Sequence, residues 1–246
     1  MKKLLLFAAP LLLSSLLDSC FGQAFTATYD FASVTTISGL TDPTTPPTAA
    51  GLTFGSFTST GMSANPNASA RFSFTTNALG GVNASDNFAT FTGSLNLAKY
   101  DEVTLTPSAG FVLDLNTIAF TIQRSSTGIR SYAVRSSLDG YSANLSASIS
   151  PVNANLGVGP GDEFRYLFDA NTTAQNGSLV TLGVPFDALT SAVSFRVYGW
   201  NAEGDGGTFS IDNVAFAGTT LAVPEPTAFA ILGLGLLGLR VLRRKS

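Results

Sequence analysis

Apolar residues fall on every second position through most of the middle of this chain, and that period leaves the half-buried β-strand as its repeating unit. Phe25, Ala27, Tyr29 and Phe31 alternate with Thr26, Thr28 and Asp30. Phe72 and Phe74 alternate with Arg71, Ser73 and Thr75, and Ile118, Phe120 and Ile122 with Thr117, Ala119 and Thr121. The same pattern places strands around Val103 and Leu105, around Tyr132 and Val134, and at 145–149, 164–168, 179–184, 193–197 and 209–216. Turn formers separate them: Asp42-Pro43, Asn65-Pro66-Asn67, Gly80-Gly81, Asp139-Gly140 and Asn176-Gly177. No helical period and no internal repeat intervenes. Many short strands joined by Gly, Pro and Asn turns predict an all-β fold: a single antiparallel β-sandwich of jelly-roll type, with the Thr- and Pro-rich stretch 40–50 as a surface excursion.

The two ends follow other rules. Met1, Lys2 and Lys3 precede an apolar run that reaches Leu17, the charged and hydrophobic regions of a signal peptide. Gly22 and Ala24 supply the small residues that signal peptidase requires, so cleavage is expected after Ala24 and the mature chain starts at Phe25. Leu17-Asp18-Ser19-Cys20 offers a lipoprotein alternative, against which stands the carboxylate of Asp18. Cleavage after Ala24 discards the one cysteine, leaving neither a disulfide nor a thiolate metal site.

At the other end, Pro224-Glu225-Pro226 precedes the apolar run 227–239, and Arg240, Arg243, Arg244 and Lys245 close the chain. Motif, short hydrophobic helix and basic terminus, in that order, resemble the PEP-CTERM sorting signal of exosortase substrates. The resemblance implies export, membrane anchoring through the tail before processing, exosortase as a partner, and a final place at the cell surface or in the extracellular matrix. The physical chemistry of the tail agrees. Two prolines hold an extended peptide that a peptidase can grip. The run 227–239 gives a helix of about 20 Å at 1.5 Å per residue, against a hydrocarbon core of about 30 Å. Extension to residue 242, with Arg240 snorkelling, narrows the gap for a single transmembrane helix over about 227–242. The basic cluster stays cytoplasmic as a stop-transfer signal. The chain thus divides into a signal peptide at 1–24, a β-sandwich at 25–221 and a sorting signal at 222–246. Residues 131–145 and 195–218 also resemble segments of exported PEP-CTERM proteins, and the Ile211-Asp212-Asn213-Val214 strand is similar to the closing strand of jelly-roll carbohydrate-binding modules.

Chemistry is scarce in the middle. Of 13 basic residues, six lie in the two end segments and 7 remain; of 16 acidic residues, Asp18 is lost and 15 remain, so residues 25–226 stand near −8. That charge excludes a nucleic-acid backbone as partner. Histidine is absent from the chain, which removes the commonest general base. The carboxylates Asp114, Asp139, Asp162, Glu163, Asp205 and Asp212 mostly sit in turn contexts, so a non-catalytic domain is expected, with a polysaccharide hydrolase as the third reading. No cofactor is required. Glu203 and Asp205 in a Gly-rich loop, with Asp212 on the last strand, are candidate ligands for a structural Ca ion, set against the plain reading of a hairpin loop and a strand end. Tyr198 and Trp200 share the strand face opposite Val193, Phe195 and Val197. They are therefore the candidate contacts for an extracellular polysaccharide, set against burial as core.

Overall fold

The computed structural model describes residues 22–223. In chain order the strands are β1 (Gln23–Tyr29), β2 (Leu52–Phe54), β3 (Thr58–Thr60), β4 (Ser63–Ala64), β5 (Phe72–Thr75), β6 (Tyr100–Pro107) and β7 (Phe111–Arg124), then β8 (Ser131–Ser136), β9 (Ala147–Ile149), β10 (Leu156–Gly159), β11 (Glu163–Tyr166), β12 (Gln175–Thr181), β13 (Val193–Trp200) and β14 (Phe209–Ala222). They form two seven-stranded sheets. The first runs β4-β5-β14-β7-β12-β9 with β1 also on β14; the second runs β10-β11-β8-β13-β6-β2 with β3 also on β6. Every strand pairing among the described residues is antiparallel. The expected all-β class with two antiparallel sheets therefore holds.

The inward positions of both sheets meet in one aromatic-rich core. Tyr132 and Phe164 stack with centroids 4.9 Å apart, and Phe120 packs edge-on against both. Tyr29, Phe31, Phe57 and Phe72 make a second knot, with Tyr29 and Phe57 centroids 4.9 Å apart. Each buried ring of this kind removes apolar area worth roughly 1.5–3 kcal/mol, and each edge-on pair adds about 0.5–1.5 kcal/mol.

The long pair β7–β14 keeps both strands facing the core only because its register shifts twice. Between Asp212 and Ala215 one extra residue enters β14, with Asn213 at φ 48°. That bulge changes the parity, so Phe209 and Ile211 before it and Val214 and Phe216 after it all point inward. A matching extra residue at Asn116 of β7 reconciles Leu113 and Leu115 with Ile118, Phe120 and Ile122.

Several boundaries differ from the period-two expectation. β11 ends at Tyr166, and Phe168 beyond it is exposed; β12 runs from Gln175 to Thr181 rather than over 179–184. Stretch 40–50 is mostly exposed, as an excursion should be, yet Thr41 bridges Thr58 and Asp42 is buried. β1 begins at Gln23, and Gln23 and Ala24 pair with Thr220 and Thr219, so the expected cleavage point falls within a strand. The rest of the signal peptide (1–21), the Pro-Glu-Pro motif and the helix expected over 227–242 lie outside the described residues. Among the described residues no helix is long and apolar enough to cross a membrane.

Candidate functional site

Residues 76–99 form a strap without long strands that crosses the outer face of the second sheet. Its turn is closed at Gly80, φ 128°, where an added Cβ would fall 2.1 Å from the backbone nitrogen of Gly93. Beneath the strap Tyr198 and Trp200 pack with Ala133 into a small second core, against Ala78, Leu95 and Tyr100. The parity reading was right, since both rings point away from Val193, Phe195 and Val197. The proposed glycan contact is corrected: Tyr198 is 0% and Trp200 6% exposed, and a covered ring cannot stack on a sugar. Outside that patch Arg196 lies 3.9 Å from the Tyr100 ring centroid and 3.8 Å from that of Tyr141, and its Nε donates to Glu102 at 2.5 Å.

The Ca grouping is also corrected. Among the described residues no three His, Cys, Asp or Glu side chains gather so as to hold a metal ion. Asp212 accepts from the backbone and side-chain amides of Asn213 at the bulge. Asp205 lies in a wide hollow of about 660 Å³ beside Asn77 and Lys99. Glu203 is fully enclosed and already partnered by two arginines.

Those arginines are the feature that the sequence reading missed. Arg124 continues the inward series Ile118, Phe120, Ile122, and Arg130 follows the turn 125–129; neither is more than 1% exposed. Arg124 Nη2 lies 2.9 Å from Glu203 Oε2, and its Nη1 3.3 Å from Asp169 Oδ1. Arg130 Nη1 lies 3.1 Å from Glu203 Oε1 and 3.5 Å from Asp169 Oδ1, while its Nη2 reaches Asp86 at 3.1 Å. Arg130 also donates to the carbonyls of Ser85, Tyr166 and Leu167, and Arg124 to those of Ser126 and Asp169. The Phe88 and Phe91 rings flank Arg130, with centroids 5.4 and 5.3 Å from its Cζ.

Burial foremost, helped by a hydrogen bond with Asp169, lifts the Glu203 carboxyl to about 7 against the pull of Arg130 and Arg124. Partial burial acts to raise Asp169, but its hydrogen bond with Glu203 and the charge of Arg124 prevail and hold it below the usual carboxylate range. A poised carboxyl can mark an active site. Here the Glu203 side chain is 0% exposed, so no substrate reaches it. The cluster works as a clasp that joins the strap to the loops after β7, β11 and β13. Of the other carboxylates weighed for catalysis, Asp139 accepts from Ser142 and Ala143 and Asp162 from Ala147 in turns, while Asp114 on β7 accepts from Ala188 N–H and Glu163 on β11 from Ser131 Oγ and Arg165 Nε.

Beside the clasp, on the outer face of the first sheet, lies a groove of about 390 Å³. Ser73, Ser210 and Gln123 stand in cross-strand register on β5, β14 and β7 as a polar row, of which Ser210 and Gln123 line the groove and Ser73 supports them from the buried side. Ser210 Oγ donates to Ser73 Oγ at 2.7 Å, which also accepts from Asn65 Nδ2 at 2.9 Å. Gln123 Nε2 donates to the Thr172 carbonyl at 2.9 Å and ties down the far wall. Arg71 and Asn67 form the near wall, and Arg124 borders the end next to the clasp. No carboxylate lines the groove.

Fold and sites thus define a two-sheet antiparallel β protein with an enclosed ionic clasp and an open polar groove. At its carboxyl end, residues 222–245 match the PEP-CTERM protein-sorting motif, so the chain carries that signal, which implies an exported protein sorted by exosortase to the surface or beyond. The match begins where β14 ends, at Ala222, and Val223 N–H is anchored to the Gly110 carbonyl at 2.7 Å. No curated protein matches the chain. Among solved structures, the K3 cleaved adhesin domain of Lys-gingipain from Porphyromonas gingivalis is 13% identical, with 79% of this chain and 99% of that one covered, at a TM-score of 0.35. The K1 adhesin domain of the same protein is 15% identical over 78% of this chain and 97% of that one, at a TM-score of 0.33.

Proposed function

We propose that this is an exosortase-sorted protein of the cell surface or extracellular matrix, with a non-catalytic jelly-roll domain in a structural or adhesive role. The sorting motif at 222–245, directly after the last strand, carries the reading. Strand order supports the jelly roll: β5-β14-β7-β12 in one sheet and β6-β13-β8-β11 in the other correspond to the orders 1-8-3-6 and 2-7-4-5 of an eight-stranded roll, with β11 as the fifth strand and β9 and β10 as additions at the sheet edges. Carboxylates held by hydrogen bonds in turns and on strands, and the raised carboxyls of Glu203 and Asp101 sealed from solvent, support a role without catalysis. Signal peptidase and exosortase are the processing partners, and the membrane holds the precursor through the helix over about 227–242. A carbohydrate-binding role in the exopolysaccharide layer is the second reading, favoured by the open groove of hydroxyl, amide and guanidinium groups.

Membrane fractionation of wild type and Glu225→Ala in a host carrying the exosortase tests the sorting role. Precursor of the variant should accumulate in the membrane, retained by Arg240, Arg243, Arg244 and Lys245. Its domain should unfold within about 0.5 kcal/mol of wild type, as for a surface change. Equal processing of the two chains would overturn the reading of the motif.

A further inference from the structure

We infer that the groove on the outer face of the first sheet binds an acidic sugar unit, a pyranose bearing a carboxylate, with Arg71 as its anion contact; this rests on the carbohydrate-binding reading. A half-buried guanidinium in the groove wall without an ion pair among the described residues carries the inference. Two guanidinium groups of the described residues, Arg71 and Arg124, each keep an Nε–H that is buried and unpartnered, and both border this one groove. An unmet charged donor is a cost to the folded protein; the Arg124 side chain, 0% exposed, is out of a ligand's reach, whereas Arg71 is only half-buried. Arg124 has its two Nη groups committed to the clasp, so its position is set by the fold. Arg71 makes no ion pair within 4.0 Å among the described residues. Its single other hydrogen bond, to the Asn67 carbonyl, is long at 3.4 Å, which leaves its charge available.

The rest of the lining selects the ligand class. Asn67, Thr172, Thr208 and Ser210 offer groups that both donate and accept, as the hydroxyls of a sugar do. A guanidinium fork matches a carboxylate in plane and charge. No aromatic ring lines the groove, so neither a nucleobase nor a neutral sugar face has a surface on which to stack, and no carboxylate is in the lining, Asp212 acting on Arg71 from outside it. The floor is built rather than incidental. Asn65, Ser73 and Ser210 are 6%, 3% and 3% exposed, and the hydrogen bonds among them fix the donors before any ligand binds.

The test is calorimetric titration of the full-length chain with trigalacturonate, maltotriose and sodium sulfate, repeated with Arg71→Gln and Asn67→Ala. Trigalacturonate should bind at least ten-fold more tightly than maltotriose. Arg71→Gln should weaken it at least ten-fold, and Asn67→Ala about three-fold, with circular dichroism unchanged in both. Equal binding of the two trisaccharides would overturn the acidic-sugar inference and leave the carbohydrate-binding reading standing. Absence of binding by either at millimolar concentration would overturn both. Displacement of the sugar by sulfate at equal concentration would reduce the site to an anion cradle and overturn the inference, as would an Arg71→Gln variant with wild-type affinity.

Discussion

The outer faces of the two sheets solve the same problem in opposite ways. On the second sheet the outward residues Ala133, Tyr198 and Trp200 are apolar or aromatic, and the strap 76–99 covers them as a small core. On the first sheet the outward row Ser73, Ser210 and Gln123 is polar and underlies an open groove. A sandwich has one face per sheet to spare, and which of them meets a partner is decided by what lies over it. Aromatic residues on a strand invite the assignment of a sugar platform, but their apolar area also recruits a cover. Hydroxyls and amides recruit none, so that face remains open.

The largest expected effect is at the clasp, which holds the strap in place. Arg130→Ala leaves Glu203 and Asp86 without their shared cation and unties Ser85, Tyr166 and Leu167. Loss of one partner from a buried ionic cluster costs about 3–5 kcal/mol. Chemical denaturation should show that loss, and proteolysis should cut first within 76–99. A strap that stays protected would mean that its apolar contacts alone hold it.

Trp200→Ala removes the largest ring under the strap. Large-to-small changes of a buried Trp cost about 3–5 kcal/mol, and the lower end is expected because a peripheral cover can settle into the space. The groove on the other sheet should be untouched, with wild-type sugar affinity. Coupled loss of both would show that the two faces are not independent.

β6 puts neighbouring residues on the two faces of the second sheet: Tyr100 lies outward under the strap, and Asp101 points inward and is 1% exposed. No cation within 4.0 Å meets Asp101 among the described residues, and burial pushes its carboxyl to about 8, only partly offset by the nearby Ser59 hydroxyl. The folded value lies above the unfolded one, so its stability contribution is complete below about pH 4 and is lost as pH rises to about 8. Glu203, lifted to about 7, acts in the same direction between about pH 4.5 and 7. Asp101→Asn should therefore raise stability at pH 8.5 by at least about 2 kcal/mol and change it by under about 0.5 kcal/mol at pH 4, measured by urea unfolding at each pH. A gain of equal size at both would show that packing, not charge, is responsible.

Much of this was legible in residue order, and the exceptions have physical causes. Period two placed Ile118, Phe120 and Ile122 on the core side and set Tyr198 and Trp200 opposite Val193, Phe195 and Val197. The bulges at Asn116 and Asn213 reverse parity in mid-strand and are visible only in pairing register. Arg124 extends an inward series, and that was a readable signal: a charge at a core position requires a partner. Its partners Asp169 and Glu203 lie 45 and 79 positions away, and no local pattern joins them to it. The groove was hidden for the same reason. Ser73, Gln123 and Ser210 are ordinary outward residues one by one and become a floor only when three distant strands align.

The smallest effect bears most directly on why the first sheet's face is left open. If the groove exists for a ligand, the guanidinium of Arg71 is held there at a cost to the empty protein, since its buried Nε–H meets no acceptor. Against that stands the attraction between Arg71 and Asp212, which is weakened by the partial exposure of both. Arg71→Leu keeps a branched aliphatic stem in the wall while removing the unmet donor. Apolar replacement of a poorly paired charge is neutral or favourable, so the variant should be more stable than wild type by about 0.5–1 kcal/mol, at the modest end of gains made by relaxing a functional site. Thermal unfolding without ligand measures the difference. The sign is the informative part: a gain alongside lost sugar binding is what a site kept for function produces. A loss of more than about 1 kcal/mol would make Arg71 a strut of the 65–71 loop, and the two outer faces would then differ in cover alone.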